Sequence, residues 1–225
     1  GHDEVKTSIK SGKAMLVILA SDASERLEKE MKTLESLGFH SVFSECGELP
    51  FSVAGAVGFE HQAQFHPLKF VAGIARGKHI YEHTYVKELK PHRAVTEKGD
   101  IVFDKVIFAT HFPIDNKHGM YFMKLYQHRS YVIAYEWAAD VKGMYVDEAM
   151  NGMSFRNFGK LLLIGGGDHR TGKQGGCWKE IESFAGQGYP NAKELTRWAT
   201  QDCMSLDEVP YIGEYSKRMP GCFVA

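Results

Sequence analysis

The stretch Gly167-Asp168-His169-Arg170-Thr171-Gly172-Lys173 has the spacing GxxxxGK, follows the apolar run Leu161 to Ile164, and precedes a helix-like segment. In a phosphate-binding loop the backbone amides of such a turn wrap the phosphates and the lysine reaches the terminal ones. The next residue should be Ser or Thr to ligate magnesium, and here it is Gln174. Only about 50 residues follow, too few for the remaining strand–helix units of a nucleotide hydrolase. A P-loop-like nucleotide-binding protein using 167–173 is therefore one alternative, and a glycine-rich turn after a core strand is the plainer reading.

Other reactive side chains are scattered. Cys46, Cys177, Cys203 and Cys222 form no CxxC pair, which fits neither a disulfide framework nor a zinc ribbon, so each is read as a reduced core thiol. His61, His66 and His169 show no HExxH or HxH spacing, and no metal site is expected. No nucleophile with a base at a recognisable spacing is present, and no catalytic side chain is assigned.

The elements that must position these residues are read from periodicity. Ala14 to Ala20 suits a strand, and Asp22 with Glu25 opens a helix carrying Leu27, Met31 and Leu34 on one face and ending at Gly38. Leu49 to Phe59 reads as a small-residue strand, and Pro67 as the first residue of a helix over Leu68 to Arg76, stopped by Gly77. Ile80 to Leu89 and Ile101 to Phe103 read as a hairpin, and Val106 to Thr110 as a doubly buried strand. Tyr131 to Trp137 and Leu161 to Ile164 are further strands, whereas Trp178 to Phe184 and Ala192 to Met204 look helical, the latter opened by Asn191 with Glu194. Strands and helices mix without a regular βαβ beat, which gives an α+β chain with a mixed sheet.

Composition narrows the function classes. The 225 residues carry 27 Lys plus Arg against 28 Asp plus Glu, so no basic excess favours nucleic acid or an anionic membrane. No apolar run approaches the ~18 residues of a membrane span and no signal-like segment opens the chain, so a cytoplasmic protein is expected. Gly1-His2 without an initiator methionine, and the apolar run Cys222 to Ala225 at the other end, read as cuts in a longer protein.

Three separated stretches, in order, resemble the FAD-dependent oxidoreductases of the D-amino acid oxidase and glycine oxidase superfamily. The first is Gln64-Phe65-His66-Pro67-Leu68-Lys69-Phe70, then Ile80 to Val86 and Val106 to His111, similar to the family's helix, its following strand and its D-x-V-V-x-A-T strand. The second is Ser154-Phe155-Arg156 with Leu161 to Gly167 and His169-x-Thr171-Gly172. The third runs from Trp198 to Asp202 and on through Asp207-Glu208-Val209-Pro210-Tyr211-Ile212-Gly213, similar to the D-G-x-P-x-I-G segment near the flavin.

The resemblance implies an α+β fold in which a mixed β-sheet substrate domain is interleaved with segments of an FAD-binding α/β domain. Residues 1–60 and 114–195 would be substrate-domain-like, and 61–113 and 196–225 would belong to the FAD-binding domain. The GxGxxG dinucleotide fingerprint is not in this sequence. In such proteins the flavin takes a hydride from the carbon bearing an amine, with a small amine or amino acid as substrate, and some carry a Rieske-type iron–sulfur domain further on. Val86, Ala109, Thr110, Ile212 and Gly213 would be cofactor-binding, Val86 at the adenine end and Ile212 with Gly213 near the ring.

Tyr121, Arg156, His169 and Gln201 are the substrate-binding candidates. Relatives acting on amino acids place an Arg just before the D-G-x-P segment to grip the carboxylate, where the nearest equivalent here is the uncharged Gln201; Arg156, Arg170 and Arg197 remain open as substitutes. Tyr121, Lys124, Tyr126, His128 and Tyr131, with Tyr145, read as an aromatic and basic cluster suited to a pocket for an anionic amine. A non-enzymatic binding module is the remaining alternative.

Overall fold

In a computed structural model of the chain, residues 16–20, 25–44, 46, 49–115, 119–147, 149 and 152–225 are described. The chain divides into two compact units: Gly1–Arg76, Ser130–His169 and Lys173–Thr200 form the first, and Gly77–Arg129, Arg170–Gly172 and Gln201–Ala225 the second.

The first unit is organised by a mixed sheet. Its strands are β1 (Leu16–Ala20), β2 (Ser41–Ser44), β3 (Gly55–Phe59), then β8 (Leu125–Glu136), β9 (Met144–Asp147), β10 (Ser154–Phe158), β11 (Leu161–Arg170) and β12 (Lys193–Ser205), ordered β12-β8-β11-β10-β9-β1-β3-β2. β1 runs parallel to β9 and antiparallel to β3, while β9, β10 and β11 pair antiparallel. The ends of β8, β11 and β12 at 125–129, 170 and 201–205 count with the second unit.

One face of this sheet is apolar because alternate residues of its strands are: Tyr131, Ile133 and Tyr135 on β8, Tyr145 on β9, Phe155 on β10, and Leu162 and Ile164 on β11 are all buried. The helix Cys177–Gly188 (α3) covers that face with Trp178, Ile181, Phe184 and Ala185, spaced as one helical stripe. Phe51, from the segment before β3, sits edge-on to Phe155, Phe184 and Tyr189 with ring centroids 5.7, 5.1 and 6.5 Å away. On the opposite face the helix Glu25–Ser36 (α1) packs Met31 and Leu34 against Val57 and Phe59 of β3. The short helix Pro67–Ile74 (α2) begins with its proline in the first turn, and the imidazole of His66 accepts from Lys69 N at 3.4 Å.

The second unit holds two small sheets. β4 (Val86–Lys90), β5 (Arg93–Thr96) and β6 (Gly99–Val102) form an antiparallel meander. β7 (Val106–Phe108) pairs parallel with β14 (Cys222–Val224), which pairs antiparallel with β13 (Gly213–Glu214).

Several elements differ from their sequence reading. Ala192 to Met204 is a strand rather than a helix: Asn191 and Glu194 form no capping box, and Glu194 instead accepts from Arg197. Thr196 and Thr200 favour the extended form, and pairing at the sheet edge beside β8 overrides the weak helical signal. The expected hairpin is a three-stranded meander, because the Pro91-His92 turn, with His92 at φ 57°, returns the chain after Lys90 and adds β5. The strand expected over Leu49 to Phe59 is confined to Gly55–Phe59. The helix after Pro67 stops at Ile74, two residues short of Arg76. Ala14, Asp22 and the side chain of Leu27 lie outside the described residues.

The largest change is at Leu161 to Ile164, which continues through Gly165-Gly166-Gly167 to Arg170 as one strand. Gly167 sits at φ 65°, and a Cβ there would strike the backbone of Cys177 at the start of α3. This left-handed residue shifts the alternation of β11, as a bulge does, and His169 stacks beside Tyr131. Gly167→Ala should therefore lower stability by about 2 kcal/mol or more, through backbone strain and collision together. Thermal unfolding of the variant should occur about 4–8 °C below that of the parent; an unchanged midpoint would contradict the close approach of β11 and α3.

Candidate functional site

The second unit contains an apolar cleft of about 300 Å³ built at the ends of β7 and β14. These strands run parallel in register, Cys222 beside Val106 and Val224 beside Phe108, and Ala225 N extends the ladder by donating to Phe108 O at 3.1 Å. Both carboxyl ends thus arrive together, and Phe108, Thr110, Val224 and Ala225 form one wall. Ligands of parallel sheets bind outside such strand ends, where side chains give way to loops and exposed backbone.

The other walls are Tyr121 and Leu125, the strand end Cys203-Met204-Ser205, and Pro210 with Tyr211. Tyr121 opens a 3-10 turn, Tyr121–Met123, and is held by aromatic packing: its ring stacks on Tyr215 at 5.7 Å and meets Tyr211 edge-on at 5.9 Å. Tyr215 packs against Phe108 at 4.8 Å and its hydroxyl donates to Asp115 O, which fixes the stack. The Lys124 ammonium lies 5.7 Å from the Tyr121 ring centroid and 6.0 Å from that of Tyr211, placing a cation beside the two aromatic walls. Burial pushes the Tyr121 phenol above its ordinary pKa. Burial also raises the Cys203 thiol, against a smaller opposing effect of its hydrogen bond with the Gln127 side chain.

Thr110 and Tyr121 line this cleft, and Ala109 stands between its lining neighbours Phe108 and Thr110. Ile212 and Gly213 directly follow Tyr211; Ile212 is 76% exposed, and Gly213, at φ 150°, has nothing within 4 Å of the Cβ it lacks. Val86 belongs to a separate hollow of the same unit, about 440 Å³, with Tyr85, Leu89, Ile114 and Phe122. Gln201 does not line the cleft: its amide donates to Gln127 Oε1 at 3.1 Å, two residues before Cys203 on β12.

Arg156 and His169 belong to the first unit. Arg156 donates to Gln64 Oε1, and His169 Nε2 lies 2.9 Å from the Tyr131 hydroxyl with the two rings stacked at 5.7 Å. The aromatic and basic cluster is divided as well, since Tyr131 and Tyr145 are core residues of the first unit, whereas Tyr121, Lys124, Tyr126 and His128 lie in the second. Tyr126 carries the Arg170 guanidinium at 4.9 Å over its ring. Among the described residues no group of three or more His, Cys, Asp or Glu side chains converges as a metal site.

Sequence reasoning missed Cys203, Met204 and Ser205 as a wall because it made their segment helical. It missed Tyr211 and Tyr215 as the supports of Tyr121 because nothing local links residues about 90 apart in sequence.

The GxxxxGK stretch does not form a phosphate cradle. Gly167 to Arg170 are strand residues, and the amide of Thr171 is spent on Gln127 O at 2.9 Å.

The chain matches the family "FAD dependent oxidoreductase" (DAO) over residues 8–225, and it belongs to that family, whose cofactor is FAD. It is 26% identical over 229 residues to a Bacillus subtilis (strain 168) protein named "Putative Rieske 2Fe-2S iron-sulfur protein YhfW", covering 94% of this chain and 45% of that one. The chain thus spans less than half the length of that relative. Among solved structures, glycine oxidase from Geobacillus kaustophilus matches 100% of this chain and 70% of its own, at 18% identity and a TM-score of 0.74. L-proline dehydrogenase from P. horikoshii matches 99% of this chain and 70% of its own, at 15% identity and a TM-score of 0.80. These likenesses establish the α+β fold with its mixed sheet. No helix among the described residues is long and apolar enough to cross a membrane.

Two outcomes follow from the site. Titration with magnesium and ATP should give no binding heat, and Lys173→Ala should change nothing; binding that the variant abolishes would restore the cradle. Cys203 should be alkylated by iodoacetamide more slowly than an ordinary thiol at pH 8, because a raised pKa leaves less thiolate, and its rate should go on rising above the usual thiol range. Peptide mass mapping across a pH series measures this, and a rate that levels off at or below that range would refute it.

Proposed function

We propose that the whole protein is a flavoenzyme that oxidises an amine or amino acid at the carbon bearing nitrogen, with FAD as acceptor. The observation that carries this reading is the parallel pair β7 and β14, which delivers two carboxyl ends into an aromatic cleft, in a chain of the FAD-dependent oxidoreductase family. The residues present fit such a group: the cleft is mainly apolar, Phe108, Thr110, Pro210 and Tyr211 line it, and Gly213, two residues beyond Tyr211, leaves open space where a side chain would stand. Ala109, Thr110, Ile212 and Gly213 would lie along the flavin, and Val86, in its separate hollow, would serve the adenine end.

When bound, the flavin supplies a two-electron acceptor for hydride transfer. The protein's own task is then to bind and orient the substrate and to exclude water. Tyr121, whose phenol pKa burial raises further, offers a hydroxyl and an aromatic wall, with the Lys124 ammonium beside it. Arg156, His169 and Gln201 stay in this reading as substrate-binding candidates outside the lining of the cleft. That glycine oxidase and L-proline dehydrogenase share the fold supports an amino acid or small amine as substrate. The name of the Bacillus subtilis relative supports a Rieske-type domain elsewhere in the whole protein as an electron partner. A cytoplasmic location, with no nucleic-acid partner, belongs to the same reading and is supported by the balanced charge and the scattered cysteines.

The whole protein should purify yellow with one flavin per chain, and anaerobic addition of an amine or amino acid should bleach the flavin band. Failure to retain flavin after reconstitution, or a loaded flavin that no amine or amino acid reduces, would overturn the proposal.

A further inference from the structure

Tyr131 of β8, His169 of β11 and Trp178 in the first turn of α3 form one cluster inside the first unit. The Tyr131 hydroxyl lies 2.9 Å from His169 Nε2, and the two rings are stacked at 5.7 Å. The Trp178 indole meets Tyr131 edge-on at 4.7 Å, at the close end of the range for aromatic pairs. Tyr131 is 6% exposed, so its ring is shielded from solvent while its hydroxyl faces an imidazole. His169 is fixed from another side. A Cβ on Gly175 would stand 2.5 Å from His169 Cβ, so only the bare backbone of a glycine lets that segment lie against the side chain.

Phenol and indole are the two side chains here that can each lose one electron, and the cluster treats them differently. A phenol gives up an electron readily only if its proton leaves with it, and Tyr131 has an imidazole nitrogen at hydrogen-bond distance to receive that proton. The Trp178 Nε1 atom is buried and has no hydrogen-bonding partner among the described residues, so an oxidised indole there has nowhere to send its proton. Trp178 is itself only half-buried, and the Arg197 guanidinium, tied to Glu182 and Glu194, lies over its ring at 5.5 Å and holds it in place. An electron vacancy that reaches Trp178 therefore moves inward and comes to rest on Tyr131.

We infer that Tyr131 is a one-electron redox site, with His169 Nε2 as its proton acceptor and Trp178 as the relay toward the outside of the unit. The co-reactant is a diffusible one-electron oxidant of the peroxyl-radical class. It takes one electron from the Trp178 ring and is reduced, and Tyr131 refills the indole. As Tyr131 loses that electron its O–H bond breaks and an N–H bond forms at His169 Nε2, which leaves a neutral phenoxyl and an imidazolium. The tautomer this needs has the resting imidazole proton on Nδ1. A one-electron reductant of the ascorbate class reverses the step, and the proton returns to the phenol oxygen. The site draws an oxidising equivalent onto one shielded residue. It belongs to the first unit alone and stands or falls separately from the flavin reading.

The test uses the whole protein with Tyr131→Phe, His169→Phe and Trp178→Phe. Each is mixed with hexachloroiridate(IV), a one-electron oxidant with no hydrogen or oxygen atom to transfer, frozen at intervals and read by electron paramagnetic resonance. Growth on ring-deuterated tyrosine separates a tyrosyl signal from an indolyl one. The parent should give a tyrosyl radical that forms more slowly in heavy water than in ordinary water, because an O–H bond breaks in the step. Tyr131→Phe should lose this signal, with exposed tyrosines such as Tyr81 and Tyr85 giving the same background in every variant. His169→Phe should slow its formation by about 100-fold, the usual weight of a positioned proton acceptor. Trp178→Phe should slow it without abolishing the signal.

No tyrosyl radical in the parent, an equal one in Tyr131→Phe, or a rate that neither heavy water nor His169→Phe changes would overturn the assignment. Should Tyr131→Phe or His169→Phe fail to fold, the radical is located in the parent by trapping with nitric oxide and peptide mass mapping. An adduct on Tyr131 upholds the site, and adducts confined to exposed tyrosines refute it.

Discussion

A sheet this wide has two faces, and the first unit is arranged by the requirement that one of them be covered. Tyr131, Ile133, Tyr145, Phe155, Leu162 and Ile164 present a continuous apolar surface, and burying it at roughly 25 cal/mol per Å² is the dominant favourable term available. One helix and one aromatic segment do it: α3 lays Trp178, Ile181 and Ala185 on the sheet, and Phe51 closes the margin against Phe155 and Phe184. Because side chains alternate along a strand, the same strands that supply the core supply the opposite face, and there, among the described residues, α1 packs on β3 through Val57 and Phe59. Arg156 can carry an uncompensated charge because it lies on a face that hydrophobic burial has not claimed.

The second unit solves a smaller problem with aromatic stacking. Two sheets of three strands each bury little, so Tyr121, Tyr215 and Phe108 form the core with Met219, Cys222 and Val224. The cleft is the outer surface of that core. Tyr121 belongs to both, and a change to it would alter packing and cleft wall together. Lys124 reaches the same rings from its exposed position, and the rings add a modest attraction.

What was legible in the sequence were features carried by short, self-contained chemistry. Pro67 and Gly77 bracket the helix they were expected to bracket, with Gly77 at φ 73°, and the strand expected from Val106 to Thr110 forms in a parallel pair, though it stops at Phe108 and is not doubly buried, since Ile107 is 65% exposed. The mixed sheet, the α+β class and the family followed from several such segments in order. Three ordered segments constrain one another in a way that no single one does. What was not legible depended on partners far away in sequence. The Tyr121 and Tyr215 stack spans 94 residues, and the Arg156 bond to Gln64 spans 92, so neither has a local signature.

Two local patterns did not become what their spacing alone would allow, for a common physical reason. Asn191 with Glu194, and Gly167 with Lys173, are patterns whose meaning is supplied by the conformation around them. A capping box needs a helix to cap, and a phosphate loop needs free amides. At 191–205 sheet pairing took the backbone, and Glu194 and Glu182 turned to the Arg197 guanidinium instead. At 167–173 the strand took the first four residues and Gln127 took the next amide, so the glycines serve a close approach to α3 rather than an anion. In both cases backbone hydrogen bonds decided the outcome. Each such bond contributes only about 1 kcal/mol net, but leaving a buried amide unpaired costs more, so a ladder already begun in Leu161 to Ile164 continues until its partner strand runs out.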